Sequence, residues 1–113
     1  MSQITTHVLD INRGLPCKGI QVNLCQKIKD DWKVIGEEET DSNGRCKSFL
    51  AEGEKLQGGI YRLRFETQEY FSLKGEVSFY PYIDIIFQLD ESGSHYHVPL
   101  LLSAFGYSTY RGC

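Results

Sequence analysis

The residues best suited to proton transfer in this chain of 113 are its three histidines, His7, His95 and His97, because imidazole titrates near neutral pH. His95 and His97 are two apart, so a strand there puts both imidazoles on one face. Three readings of these residues are open. They are exposed or hydrogen-bonded structural histidines; or His-x-His joined by His7 makes a three-histidine zinc site; or one imidazole takes a proton from water as a general base. Arg45 directly follows Asn43-Gly44. As a loop arginine it is by default a surface charge, but its planar fork suits a flat, carbonyl-rich ligand and a developing oxyanion. The terminal Tyr110-Arg111-Gly112-Cys113 has the same ambiguity, since chain ends ordinarily fray.

The elements that must position these groups are short strands. Ile4–Leu9 is rich in β-branched residues, with Thr5, His7 and Leu9 opposite Ile4, Thr6 and Val8. Ile20, Val22 and Leu24 alternate with polar or small neighbours, and Tyr61, Leu63 and Phe65 alternate with Arg62, Arg64 and Glu66. Residues 32–35, 82–89, 95–102 and 107–111 read as further strands. Asp41-Ser42-Asn43-Gly44 reads as a tight turn that exploits the positive φ open to Asn and Gly. The one helical segment is Thr67–Lys74, with Thr67 as N-cap and Gly75 just past the end. About eight strands and one brief helix predict an all-β fold, a two-sheet antiparallel β-sandwich forming one domain over residues 1–113. Within residues 95–102, Tyr96, Val98 and Leu100 face one way and the histidines the other. If the apolar set faces the core, the histidines lie outside the sheet, where large apolar neighbours imply cover by another subunit.

Composition narrows the function classes. The net charge is −3 and Lys and Arg are not clustered, which argues against nucleic acid as a partner. The acidic run 37–39 is too short for a tail and reads as a solvated strand end or a loop. No apolar segment approaches the ~20 residues of a membrane span. The first residues lack a basic stretch followed by an apolar run, and the last residues lack a peroxisomal signal, so a cytoplasmic location is expected. Cys17, Cys25, Cys46 and Cys113 include no CxxC pair, which removes zinc-ribbon and thioredoxin readings and favours reduced thiols.

Five separated motifs resemble the transthyretin-like family along the whole chain. They are Ile4-Thr5-Thr6-His7-Val8-Leu9-Asp10 with Gly14-Leu15-Pro16; Thr40-Asp41-Ser42-Asn43-Gly44-Arg45; Phe79-Tyr80-Pro81; His97-Val98-Pro99-Leu100-Leu101-Leu102-Ser103; and Tyr107-Ser108-Thr109-Tyr110-Arg111-Gly112. The family divides into hormone carriers and hydrolases. A histidine in the first strand and a Tyr-Arg-Gly ending place this chain with the hydrolases, and a non-enzymatic small-molecule carrier of the same fold is the alternative.

The resemblance implies hydrolysis of 5-hydroxyisourate, a lactam ring opening in urate degradation that yields 2-oxo-4-hydroxy-4-carboxy-5-ureidoimidazoline. No cofactor and no metal are implied. It further implies a homotetramer, a dimer of dimers, with sites in clefts where the dimers meet. His7, Arg45 and His97 would form the catalytic group, with His7 or His97 as the base. Tyr110 would line the pocket, and Arg111, Gly112 and Cys113 would shape its floor from a neighbouring subunit. His95 is read as an exposed or supporting residue. The chain departs from the family pattern at Cys113, where serine is usual, and at Ala104-Phe105, where Pro-Tyr is common. A thiol is the weaker hydrogen-bonding group and is open to oxidation at an interface.

Overall fold

The computed structural model describes residues 2–112, so the expected substrate-binding residue Cys113 lies outside the described residues. The described chain forms nine strands and one helix: β1 Ile4–Asp10, β2 Leu15–Pro16, β3 Gln21–Ile28, β4 Asp31–Glu39, β5 Arg45–Cys46, β6 Gly59–Phe65, α1 Thr67–Ser72, β7 Ile83–Leu89, β8 Tyr96–Ser103 and β9 Gly106–Thr109. One sheet has the order β2-β1-β8-β9, with β5 also paired to β1, and the other has the order β4-β3-β6-β7.

The two sheets pack face to face, as alternation in the strands requires. Ile4 and Val8 of β1, Val22 and Leu24 of β3, Leu63 and Phe65 of β6, and Leu100 and Leu102 of β8 fill one apolar core. Each of these eight side chains is removed from water and contributes on the order of 1.5–3 kcal/mol of transfer free energy. The two-sheet sandwich expected from the sequence is the observed architecture. Its strand pairs are antiparallel apart from β1 with β8, which run parallel. A parallel pair needs a long crossover, and here the whole second sheet intervenes in sequence between the two strands.

Two expectations for local structure need correction. The helix ends at Ser72, and Glu66 rather than Thr67 occupies the N-cap, with no side-chain capping bond. Thr67 is instead buried. Gly75 does terminate the segment at φ +73°, with the Glu76 N–H donating to the Phe71 carbonyl at 2.9 Å. In the 41–44 turn Gly44 alone takes positive φ, +75°, and not Asn43. A Cβ at Gly44 would stand 2.5 Å from the Val8 carbonyl oxygen, so close approach to β1 also requires glycine there.

The far end of β1 is fastened by Asp10, whose side chain is fully enclosed. Its carboxylate accepts from the backbone N–H groups of Asn12 and Arg13, from the Arg13 guanidinium at 2.8 Å and from the Tyr70 hydroxyl at 2.9 Å. Burial alone would raise its pKa, but these donors together hold it below the usual value. Loop and helix α1 are thereby tied to the strand that carries His7.

Candidate active site

Strand register brings the separated candidates together. Thr5 stands opposite His97 across the parallel β1–β8 pair, and His7 stands opposite Arg45 across β1–β5. Directly paired residues share a face. Thr5, His7, Arg45, His95 and His97 therefore occupy the face of the first sheet turned away from the core. Their neighbours Ile4, Thr6, Val8, Tyr96 and Val98 point inward and are buried.

Arg45 is held by the turn that precedes it. Asp41 Oδ1 accepts from the backbone N–H groups of Asn43 at 2.8 Å and Arg45 at 3.0 Å. The Gly44 N–H donates to the Asp41 carbonyl at 2.9 Å and the Asp41 N–H to the Arg45 carbonyl at 3.0 Å. Those backbone donors, foremost Arg45, keep the Asp41 carboxyl below its usual pKa. The turn is thus a rigid mount for a cation beside two imidazoles.

Both imidazoles favour the neutral form. Desolvation lowers the pKa of His97 from 6.5, and the positive charges of Arg45, His7 and His95 lower it further. Desolvation and then Arg45 likewise lower His7, but a hydrogen bond to the Asn43 backbone and the Asp41 charge pull it back up. His97 is the more one-sidedly depressed of the pair, which suits a base that must be unprotonated at neutral pH.

The His97 ring is fixed on two sides. Its Nδ1 is 2.8 Å from the Thr5 hydroxyl oxygen, which also lies 3.1 Å from His95 Nε2. Gly112 forms a bridge with His97, its N–H donating to the His97 carbonyl at 2.7 Å. A Cβ on Gly112 would come within 2.7 Å of His97 Cδ2, so only glycine fits against the ring. Gly112 therefore meets His97 of its own chain.

Tyr110 and Arg111 are placed differently. They line a separate cleft of about 530 Å³ with Ile85–Leu89 of β7, and the Arg111 guanidinium lies 4.4 Å from the Tyr96 ring centroid. Within one chain they do not join the histidines. That cleft is lined by Asp90 but by no histidine, so the histidine face is the candidate for proton transfer near neutral pH.

The three-histidine zinc reading gains no support from this arrangement. The Arg45 charge acts on both His7 and His97, a field that opposes a divalent cation. Among the described residues, no group of three or more metal-binding side chains is arranged to hold an ion.

The structure brings His7, Arg45 and His97 onto one face, sets Gly112 of the same chain against His97, and adds Thr5, which in a strand reads as mere β-propensity. Its only signal was its place on the same face as His7.

The two-sheet sandwich that carries this face is shared with known proteins. The model of the HIUase/Transthyretin family matches residues 4–112, and the chain belongs to that family. A probable 5-hydroxyisourate hydrolase of Caenorhabditis elegans is 44% identical over 98% of this chain and 82% of its own length. The 5-hydroxyisourate hydrolase of Mus musculus is 38% identical over 98% of this chain and 95% of its own. Among solved structures, the 5-hydroxyisourate hydrolase of Klebsiella pneumoniae superposes with a TM-score of 0.85 at 33% identity, covering 97% of this chain and 98% of that one. Sea bream transthyretin in complex with thyroxine superposes with a TM-score of 0.90 at 28% identity, covering 98% and 95%. Backbone likeness thus extends to both branches of the family, and a shared fold does not decide between their functions.

Proposed function

We infer that this protein is a hydrolase acting on 5-hydroxyisourate, opening its lactam ring to 2-oxo-4-hydroxy-4-carboxy-5-ureidoimidazoline. The observation that carries this reading is the pairing of a neutral, oriented imidazole, His97, with the mounted cation Arg45 on one face. A carrier of apolar ligands has no need of a base and an oxyanion partner together. The hydrolase relatives, at about 40% identity over nearly the full chain, favour the same branch.

In the mechanism this geometry supports, His97 Nε2 accepts a proton from water and the oxygen adds to the lactam carbonyl carbon. Arg45 holds the flat substrate and offsets charge on the tetrahedral oxygen. The C–N bond then breaks, and the nitrogen leaves with the proton that His97 took from water. The proton of the new carboxyl group passes to solvent by way of the neutral His7 as the carboxylate forms. None of these steps needs a group beyond the chain and water.

The working unit we propose is a homotetramer, a dimer of dimers. Strands β7 and β9 end their sheets on the same side, both lining the 530 Å³ cleft. Unpaired strand edges are templates for pairing with a second copy. A second dimer over the histidine face would exclude water from it and bring Tyr110, Arg111 and the terminal residue of a neighbour toward the substrate. Cys17, Cys25 and Cys46 are free and buried, which fits a reducing compartment such as the cytoplasm.

The test is spectroscopic. 5-Hydroxyisourate is generated from urate with urate oxidase, and its absorbance decay is followed with and without the protein, in the presence of a chelator. Accelerated decay that survives the chelator supports a metal-free hydrolase. Decay no faster than the blank, also after Cys113→Ser, would leave the carrier reading.

A further inference from the structure

The Thr5 hydroxyl carries a single hydrogen and stands between two ring nitrogens, His97 Nδ1 at 2.8 Å and His95 Nε2 at 3.1 Å. Two neutral arrangements use the hydroxyl as donor and acceptor at once. In the first, His97 Nδ1–H donates to Thr5 Oγ1, and the Thr5 O–H donates to His95 Nε2. In the second every direction is reversed: His95 Nε2–H donates to Thr5, and Thr5 donates to His97 Nδ1. If both rings donated instead, the hydroxyl hydrogen would lose its acceptor at a residue only 3% exposed, and an unmade buried bond is costly. The tautomers of the two histidines are therefore coupled through one oxygen.

The two arrangements differ in the nitrogen that matters. In the first, His97 Nε2 is bare and can accept a proton from water; in the second it carries a hydrogen and cannot. We propose that Thr5 and His95 are positioning residues that set the tautomer of His97, with Thr5 as the junction and His95 as the terminal acceptor. This rests on the assignment of His97 as general base. His95 is exposed, so water serves its Nδ1 in either arrangement, and the role of His97 as base requires the first. The hydrogen bond at one imidazole nitrogen determines the state of the other, and here that bond is in turn oriented by a second imidazole.

Three variants test this in the intact protein: Thr5→Val, which removes the hydroxyl at nearly constant volume, Thr5→Ser, which keeps it, and His95→Ala. Turnover is measured as kcat and KM separately, and the His97 tautomer is read from its ring ¹⁵N shifts at a pH where the ring is neutral. Thr5→Val should lower kcat on the order of 10- to 100-fold with KM little changed, while the ring signal moves toward the Nε2–H form. Thr5→Ser should keep both kcat and the wild-type ring signal, and His95→Ala should show a smaller loss in the same direction. Wild-type kcat or an unmoved ring signal in Thr5→Val overturns the coupling. Should that variant not fold, unchanged kcat and ring shifts in His95→Ala overturn it equally. His97→Ala separates the two assignments. If it stays active, the base is misassigned whatever Thr5 does. If it is inactive while Thr5→Val is unaffected, the coupling alone fails.

Discussion

Replacing Gly112 with alanine should misplace the His97 ring while leaving the sandwich folded. The new Cβ would stand 2.7 Å from His97 Cδ2 and 3.3 Å from its Cβ and Cγ. Carbon atoms settle near ~3.5 Å, so ring and backbone must part by ~0.8 Å. The ring is pinned by Thr5 at 2.8 Å, and the Gly112 backbone by its 2.7 Å bond to the His97 carbonyl. One of these bonds must stretch. If the ring moves, the nitrogen proposed as base is displaced by a comparable amount, and a misplacement of ~1 Å costs on the order of 100-fold in rate. If the terminal segment lifts instead, the loss to stability is about 1 kcal/mol for one hydrogen bond. The segment lies outside the core, so Tm should fall by no more than about 8 °C. The assay is kcat/KM on freshly generated 5-hydroxyisourate beside thermal denaturation of the same sample. A Gly112→Ala protein with wild-type kcat/KM would refute the claim that this contact places the imidazole proposed as base.

Other predictions follow from the same geometry. His7→Ala, Arg45→Ala and His97→Ala should each reduce kcat/KM by ~100-fold or more while size-exclusion elution is unchanged; wild-type rates in all three would remove the site. Because desolvation and Arg45 lower the His97 pKa below 6.5, kcat/KM should hold to a more acidic pH than an ordinary histidine allows. An acid limb at or above 6.5 in the pH–rate profile contradicts that environment. Asp10→Ala removes the acceptor of four hydrogen bonds and should destabilise the fold by about 3 kcal/mol, measured by urea unfolding. Its folded pKa is depressed below 3.8, so the Asp10 contribution is complete above the unfolded value and is lost as pH falls through the folded one. Wild-type stability in the variant at neutral pH would show that the buried network is dispensable.

Much of the architecture follows from local pattern. Side chains alternate along a strand, so the sequence assigns Tyr96, Val98 and Leu100 inward and His97 outward, and their burial agrees. The same holds for Tyr61, Leu63 and Phe65 against Arg62 and Arg64. Gly75 marks the end of the helical segment because it can adopt positive φ without a Cβ penalty. Boundaries were less legible: β4 runs from 31 to 39 and absorbs the acidic run, since its pairing with β3 outweighs the low β-propensity of glutamate.

The sequence by itself determined the longer strands, the face that His7 and His97 take and, through its motifs, the family. It could not determine which strands are neighbours, because period-2 alternation contains no record of a partner. The parallel β1–β8 register, set by a crossover that spans the second sheet, puts Thr5 beside His97. The two-residue strand β5, too short for any periodic signal, puts Arg45 beside His7. A threonine comes to stand between two imidazoles, and Gly112 against the His97 ring, through contacts between segments some ninety and fifteen residues apart. Such contacts are selected by the packing of the whole sandwich, and only the tertiary structure decided them.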